Sequence, residues 1–334
     1  MFQTDYELCD RRPVLACDND HSVCADCFNE CRQHPSAKCP TCGDALLDTP
    51  IVFIPVEELK LNEKPFARGG FGLVYKARWK RSGEYVVVKA FVVVDDGGKD
   101  SVRSEAGLTL FMRHANIVKL FGITSLNPEK LGIVMEFAEH GPLDRWIGKL
   151  DLDQMTNIAI GVIDGLMYVH SQNVIHRDIK PNNVLLFGPE DDMIPKIADF
   201  GVSKLIQTAA ATHTKVGQDL YMAPEVRMFN RYSFPADVFS LAMTMFEMFN
   251  EELIRDSPPQ VQKFIMQVHS GRVGQLPKCC KVPEYLHSVI RRGWDESPEQ
   301  RPTLAKYRTT INGDIFTFIM THTSTQTSAT NFNT

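Results

Sequence analysis

Cysteine is concentrated at the start of the chain, where the segment ACDNDHSVCADC also carries His21. Thiolates and imidazoles are side chains that zinc prefers in proteins. The opening residues, MFQTDYELCDRR, contain no apolar signal segment, so we expect a reducing compartment, in which clustered cysteines indicate metal binding rather than disulfides. Free surface cysteines without a metal are the alternative. The cluster comprises Cys9, Cys17, Cys24, Cys27, Cys31, Cys39 and Cys42.

A second group of residues has the types that can approach phosphate. In FARGGFGLVYKAR three glycines lie between two strand-like runs, and a backbone without Cβ atoms can come close to phosphate oxygens. A plain glycine hairpin explains the same letters, so this segment alone does not decide between the two readings. The glycines are Gly69, Gly70 and Gly72.

Lys89 lies inside the apolar run YVVVKAFVVV. A buried ammonium group is costly unless an anion compensates it, so this position favours contact with a phosphate or a carboxylate. Glu105, at the start of a predicted helix, is the candidate carboxylate. A lysine whose ammonium group reaches water at an edge strand is the alternative.

Three further motifs follow in order, IHRDIKPNNVLL at 175–186, KIADFG at 196–201 and YMAPE at 221–225. Together with the glycine loop and the lysine strand, their order and spacing resemble those of a protein kinase domain covering about residues 60–318. The resemblance implies a bilobal fold with a β-rich N-terminal lobe and an α-rich C-terminal lobe.

For catalysis, the resemblance implies phosphoryl transfer from ATP, in which the protein mainly positions the reactants and neutralises charge. Asp178 would orient the substrate hydroxyl and accept its proton, and Lys180 would neutralise the transferring phosphoryl group. Asn183 and Asp199 would hold Mg²⁺. The lysine of the apolar run, tethered by its candidate carboxylate, would bind the α- and β-phosphates.

The resemblance also implies an adenine site in VMEFAEHGPL. Met135 would guard the pocket, and backbone atoms from Glu136 to Ala138 would bond the base. Ala67 and Val74, which flank the glycines of the loop, would complete the nucleotide contacts.

Two structural roles follow from the same resemblance. Asp237 of DVFSLAM would anchor the catalytic loop, and Arg301 of WDESPEQRP would pair with Glu225. Arg177 would form charge-assisted hydrogen bonds with a phosphate group carried by a residue of the loop between KIADFG and YMAPE. The candidates for that phosphate are Ser203, Thr208, Thr212 and Thr214.

The substrate class also depends on the resemblance. Lys180, two residues after Asp178, is typical of serine/threonine kinases, and the motifs are most similar to the tyrosine-kinase-like group, whose members mostly phosphorylate serine and threonine. Three positions depart from the family pattern. Ala67 replaces the first glycine of the loop, Gln218 replaces a threonine before YMAPE, and Ala242 replaces a glycine in DVFSLA.

The cysteine cluster resembles the later two-thirds of a RING finger, a fold that interleaves two zinc sites. One site would be complete, with three thiolates and one imidazole. In the other, Tyr6 stands where a cysteine is expected, and Cys31, His34 or a water would complete the set. The resemblance assigns Cys17, His21, Cys39 and Cys42 to the complete site, and Cys9, Cys24 and Cys27 to the incomplete one.

RING fingers often recruit a ubiquitin-conjugating enzyme, and Leu8 and Pro40 resemble residues that make this contact. Gly43 stands where active ligases often carry an arginine. The finger is therefore interpreted either as a ligase module or as a protein-binding device that brings substrates to the kinase.

The elements that must position these residues change along the chain. After residue 63, β-branched runs alternate with turns, which favours an antiparallel sheet. After about residue 140, apolar residues recur at spacings of three and four, as in DLDQMTNIAIGVIDGLMYVHSQ, which predicts helices. We expect an α+β fold with two lobes and a small zinc-binding domain in front. The predicted divisions are a RING-like finger at 1–48, a linker at 49–59, the kinase domain at 60–318 and a disordered tail at 319–334.

The composition of the chain limits the classes of partner that it is expected to bind. A net charge of -5 disfavours general nucleic-acid binding, and the longest apolar run is too short to span a bilayer. We expect protein substrates and a cytoplasmic location, with the nucleus as the alternative, and ATP, Mg²⁺ and Zn²⁺ as cofactors. The main hypothesis is a serine/threonine kinase with a recruiting finger. The alternative is a RING-type ubiquitin ligase or scaffold whose kinase domain is regulatory.

Overall fold

The computed structural model of the chain describes residues 13–15, 22–24, 38, 51–69, 72–92, 106, 112–127, 129–200, 220–272 and 275–311. The chain forms two compact units. The first comprises Met1–Arg113, Val118–Phe137 and Phe200–Ala209, and the second comprises His114–Ile117, Ala138–Asp199 and Ala210–Thr334.

Three short strands of the first unit form a small antiparallel sheet. They are β1 (Pro13–Leu15), β2 (Ser22–Cys24) and β3 (Ile51–Val52), in the order β2-β1-β3. Cys24 ends β2 and is described through its backbone alone. The other predicted zinc ligands lie outside the described residues: Cys9, Cys17, His21, Cys27, Cys39 and Cys42.

The first unit is built mainly on a second antiparallel sheet, of six strands. The strands are β4 (Leu59–Leu61), β5 (Ala67–Gly69), β6 (Gly72–Trp79), β7 (Tyr85–Val92), β8 (Leu120–Asn127) and β9 (Lys130–Glu136). Their order is β4-β6-β7-β9-β8, and β5 pairs with β6. The inner residues of β7, VVVKAF, are all buried, which explains why the apolar letters run without alternation. The predicted antiparallel sheet is confirmed.

Residues 51–59, the described part of the expected linker at 49–59, contribute to the core of the first unit. Ile51, Ile54 and Leu59 are all buried. Ile51 packs in a cluster that includes Ile123, and the Ile54 N–H donates to the Ile123 carbonyl at 2.8 Å. The prolines of TPIVFIPVEELKLN suggested an extended connection. The apolar residues between them have no periodic pattern from which this packing could be predicted.

The second unit is mainly helical and holds a small three-stranded antiparallel sheet. The helices are α1 (Leu152–Ser171), α2 (Pro224–Phe229), α3 (Phe234–Phe249), α4 (Pro259–Val268) and α5 (Glu284–Gly293), and residues 304–311 are also helical. The strands are β10 (Gly141–Pro142), β11 (Val184–Phe187) and β12 (Ile194–Ile197).

Helix α1 begins where its sequence provides a capping box. The Asp151 carboxylate accepts the Gln154 N–H at 2.8 Å, and the Gln154 side-chain carbonyl accepts the Asp151 N–H at 3.1 Å. These bonds satisfy two amide groups near the helix start. The helix predicted from DLDQMTNIAIGVIDGLMYVHSQ is thereby confirmed.

A β-rich part followed by an α-rich part confirms the coarse α+β expectation. Within the described ranges, none of the helices combines the length and the apolar character that crossing a membrane requires. The expected tail at 319–334 lies outside those ranges.

Candidate active site

Three of the predicted catalytic residues are in direct contact in the second unit. The Lys180 ammonium group donates to both carboxylate oxygens of Asp178, at 2.9 Å to Oδ1 and 2.7 Å to Oδ2. Nδ2 of Asn183 donates to the same Oδ2 at 2.8 Å and to the Asp178 carbonyl at 2.7 Å. The Asp178 side chain is 26% exposed and that of Lys180 16%, so the cluster is largely shielded but open to a reactant.

The backbone that carries Asp178 is fixed by a buried carboxylate. Asp237, fully buried on α3, accepts the N–H of His176 and the N–H of Arg177, each at 2.8 Å. His170 Nε2 lies 2.8 Å from the same carboxylate. Arg177 has a φ of 73°, in the left-handed region that non-glycine residues rarely adopt, and such strain persists where surrounding contacts hold it. The predicted anchoring by Asp237 is confirmed.

His176 joins the segment of Asp178 to that of Asp199. Its Nδ1 accepts the Asp178 N–H at 3.3 Å, so Nε2 carries the proton that is donated to the Ala198 carbonyl at 3.0 Å. The Ala198 N–H in turn donates to the Asn183 carbonyl at 2.9 Å. Asp199 follows directly with a φ of 64°. These hydrogen bonds therefore bring the four predicted residues of this unit to one region of the chain.

Lys89 lies in the middle of the sheet of the first unit. It is 5% exposed, and its neighbours across the strands are Val74 on β6 and Ile133 on β9. Two residues along, Val87 lies opposite Met135. Because side chains alternate along a strand, Lys89 and Val87 share one face of β7. The alternative of a lysine on an edge strand is excluded, since β7 is paired on both sides.

The glycine loop has a structural requirement of its own. A Cβ at Gly72 would lie 2.0 Å from the Ala90 carbonyl oxygen, so no other residue fits this pairing of β6 with β7. Gly69 lies opposite Gly72, and Ala67 lies on β5. Gly70 is outside the described residues. The close approach of two strands thus accounts for one of the three glycines.

The predicted pair of Arg301 and Glu225 is confirmed. Nη1 and Nη2 of Arg301 donate to the two carboxylate oxygens of Glu225 at 2.7 and 2.9 Å. Arg301 also donates to the carbonyls of Asp295 and Pro235, and it is only 6% exposed. This bidentate contact links α2 to the segment that follows α5.

A second buried polar pair was not predicted. The Tyr221 hydroxyl donates to Oε2 of Glu247 at 2.5 Å, and Oε1 accepts the Ile254 N–H at 2.8 Å. Burial, which is the largest cause, raises the pKa of Glu247 to about 7. Burial also raises the pKa of Tyr221. Glu247 is the acidic residue inside the apolar run MTMFEMF, and that contrast is the signal that could have identified it.

Several predicted positions are not among the described residues. They are Glu105, Gln218 and the four candidate phosphorylation sites, Ser203, Thr208, Thr212 and Thr214. In the part of the chain that the structure describes, no group of three or more histidine, cysteine, aspartate or glutamate side chains is arranged to hold a metal ion.

Comparisons with known proteins agree with this geometry. Residues 62–310 match the family described as protein kinase domain. The chain is 30% identical over 304 residues to cysteine-rich receptor-like protein kinase 41 of Arabidopsis thaliana, covering 81% of this chain and 45% of that protein. It is 33% identical over 263 residues to serine/threonine-protein kinase VIK of the same plant, covering 72% and 57%.

A second organism supplies a similar match. The chain is 30% identical over 262 residues to a protein named probable serine/threonine-protein kinase gdt4 of Dictyostelium discoideum, covering 75% of this chain and 15% of that protein. The alignments with these three relatives therefore span between 15% and 57% of the relatives' own lengths.

Proposed function

This chain belongs to the protein kinase family, and on that premise we propose that it transfers the γ-phosphoryl group of ATP to serine and threonine hydroxyls of proteins. The observation that carries the proposal is the contact cluster of Asp178, Lys180 and Asn183. The Asp178 carboxylate would orient the substrate hydroxyl and accept its proton. The Lys180 ammonium group, which lies at hydrogen-bond distance from the Asp178 carboxylate, would offset the negative charge of the transferring phosphoryl group.

The residues proposed for Mg²⁺ fit the ion chemically. Nδ2 of Asn183 is engaged by Asp178, so Oδ1 is the atom that remains for a cation. Asp199 would contribute a carboxylate. It directly follows Ala198, whose N–H donates a hydrogen bond to the carbonyl of the same asparagine. Amide and carboxylate oxygens are ligands that Mg²⁺ prefers. When bound, Mg²⁺ would neutralise phosphate charge.

The first unit would contact the nucleotide. Lys89 would bind the α- and β-phosphates, with the backbone of Gly69, Gly70 and Gly72 beside them. Val74 and Met135 would contact the base. The Glu136 N–H already donates to the Lys119 carbonyl at 3.0 Å, so the base would bond other backbone atoms between Glu136 and Ala138.

The choice of serine and threonine over tyrosine is supported by Lys180 and by the names of two relatives, which are serine/threonine-protein kinases by name. Matched peptides that differ only in the acceptor residue test it. We expect phosphorylation of the serine and threonine peptides at least about tenfold faster than of the tyrosine peptide, and loss of all three with Asp178→Asn. Preferential labelling of the tyrosine peptide by the wild type would overturn the proposed specificity.

We also propose that the N-terminal segment binds zinc and recruits a protein partner. The spacing of Cys17, His21, Cys39 and Cys42 supports it, because three thiolates and an imidazole form a tetrahedral set. Elemental analysis of the full chain should detect zinc, and Cys39→Ser with Cys42→Ser should reduce the content by one equivalent. An unchanged content would refute this assignment. Ubiquitin transfer without phosphate transfer would favour the ligase alternative.

A further inference from the structure

Lys76 belongs to the face of the sheet that carries Lys89. Strand register places Val87 opposite both Lys76 on β6 and Met135 on β9. The neighbouring row on this face contains Lys89. Because side chains alternate, the two rows point to the same side of the sheet. Lys76 therefore lies in the same row as Met135, a proposed contact of the base, and in the row next to that of Lys89, the proposed contact of the phosphates.

The ammonium group of Lys76 lies between two aromatic rings. It is 3.9 Å from the centroid of the Phe137 ring and 4.1 Å from that of Tyr85. Both distances are well inside the range of about 6 Å for cation–π attraction. The two rings also contact each other, at 6.3 Å between centroids, and Phe66 packs edge-on against Phe137 at 6.4 Å.

This arrangement is unusual for a surface lysine, which normally extends its ammonium group into water. Tyr85 is 56% exposed and Phe66 is 51% exposed. The ring–ring contacts already favour one arrangement of Phe137 and Tyr85, and the Lys76 cation adds an attraction to the faces of both rings. The contact of Lys76 therefore favours the observed orientation of the Phe137 ring.

Phe137 lies between the two residues whose backbones are proposed to bond the base. It ends the segment Val118–Phe137 of the first unit, and Ala138 begins the segment Ala138–Asp199 of the second. Glu136 is held through its backbone N–H by Lys119, and its Oε1 accepts the Lys119 N–H at 2.7 Å. The segment thus makes hydrogen bonds at Glu136 and a cation–π contact at Phe137.

We propose that Lys76 is a positioning residue for the adenine nucleotide, which acts by holding Phe137, and with it the backbone from Glu136 to Ala138, in the conformation that binds the base. The inference rests on the proposed function, since it assumes that this segment binds a nucleotide. Lys76 itself has no part in phosphoryl transfer.

Equilibrium binding of Mg-ADP and steady-state kinetics test the proposal together. Lys76→Ala and Lys76→Met both remove the cation, and Lys76→Met keeps most of the apolar stem. We expect both to weaken nucleotide binding and raise the KM for ATP about three- to tenfold, with kcat within about twofold of the wild type. Lys76→Arg retains a cation over the rings and should bind within about twofold of the wild type.

Ring substitutions give a second measure. Tyr85→Phe keeps the aromatic face and should leave the Kd unchanged, whereas Tyr85→Ala should weaken binding in the same direction as Lys76→Met. Lys60→Ala, an exposed lysine on the neighbouring strand β4, is the matched control and should have no effect. Thermal unfolding of each variant separates lost binding from lost folding.

The outcomes distinguish the two proposals. A wild-type chain that binds no Mg-ADP overturns the proposed function and this inference with it. A wild type that binds, with Lys76→Met and Lys76→Ala unchanged, overturns the inference alone. Equal weakening by Lys76→Arg and Lys76→Met also overturns it, because the cation would then not be what holds the segment.

Discussion

At the scale of single residues, Asp237 controls the backbone that carries Asp178. One buried carboxylate accepts two main-chain N–H groups and contacts His170. Asparagine has the same shape but only one acceptor oxygen, so Asp237→Asn leaves a buried amide facing an NH₂ group.

We predict that Asp237→Asn lowers the free energy of unfolding by about 2 kcal/mol, because a buried donor without a partner costs about 1–3 kcal/mol. It should lower kcat more than about tenfold, since the strained Arg177 conformation loses its support. Urea unfolding and initial rates measure both effects. Asp191→Asn, at an exposed turn, is the control. Wild-type stability and kcat in Asp237→Asn would show that the anchor is dispensable.

Glu247 predicts a dependence of stability on pH. Burial raises its pKa from 4.5 to about 7, while hydrogen bonds from Tyr221 and the Ile254 N–H, and the charge of Arg255, oppose the rise, and Asp144 adds to it. The folded state then binds more protons than the unfolded state between these values. Its contribution to stability is therefore complete below about pH 4.5 and is lost as the pH rises to about 7.

We expect Glu247→Gln to remove this slope. The difference in unfolding free energy between the wild type and Glu247→Gln should change by about 2–3 kcal/mol between pH 5 and pH 7.5, with the wild type losing stability relative to the variant. Urea titrations at several pH values measure the difference, in which other titrating groups cancel. A difference that does not vary with pH would mean that Glu247 keeps an ordinary pKa.

Some of these residues could be predicted from sequence and others could not. Asp178, Lys180 and Asn183 lie within one short motif, and the resemblance of that motif to a protein kinase implied their roles. Tyr221 and Glu247 are 26 residues apart, and their contact depends on how α3 packs against the segment YMAPE. Lys76 and Phe137 meet only because the register of three strands aligns them.

At the scale of elements, α3 and α5 contact each other at a position with no spare volume. A Cβ at Gly293 would lie 2.5 Å from the Ala242 Cβ. Ala242 occupies the position where the resemblance led us to expect glycine, and Gly293 supplies the missing space across the interface.

This contact predicts a rescue. Gly293→Ala should lower the free energy of unfolding by about 1–3 kcal/mol through overpacking. Adding Ala242→Gly should restore part of that loss, so that the double variant is more stable than the sum of the single changes by at least about 1 kcal/mol. Chemical unfolding of the four chains measures the coupling. Ala305→Gly changes an exposed helical alanine and is the control. Its effect on the free energy of unfolding should simply add to that of Gly293→Ala. Additivity with Ala242→Gly would refute the contact.

Apolar spacings of three and four predicted α1, and β-branched runs separated by turns predicted the sheet of the first unit, because both patterns extend over many residues. The packing of Ile51 and Ile54 was missed. A short apolar segment between prolines has no period, and only the neighbouring Ile123 shows that these side chains join a core.

At the scale of the whole molecule, the residues proposed for nucleotide binding and for transfer are divided between two units. Lys89 and Met135 belong to the first, and Asp178, Asn183 and Asp199 to the second. A scaffold that only binds partners has little need of this complete set, whereas phosphoryl transfer requires every member.

The most direct measurement is transfer of labelled γ-phosphate from ATP to a generic basic protein in the presence of Mg²⁺. The wild type should label the protein, Asp199→Asn should lower the initial rate at least about hundredfold, and Asp192→Asn, at an exposed turn, should remain within about twofold. Equal labelling by the wild type and Asp199→Asn, or no transfer by the wild type at any Mg²⁺ concentration, would contradict the account.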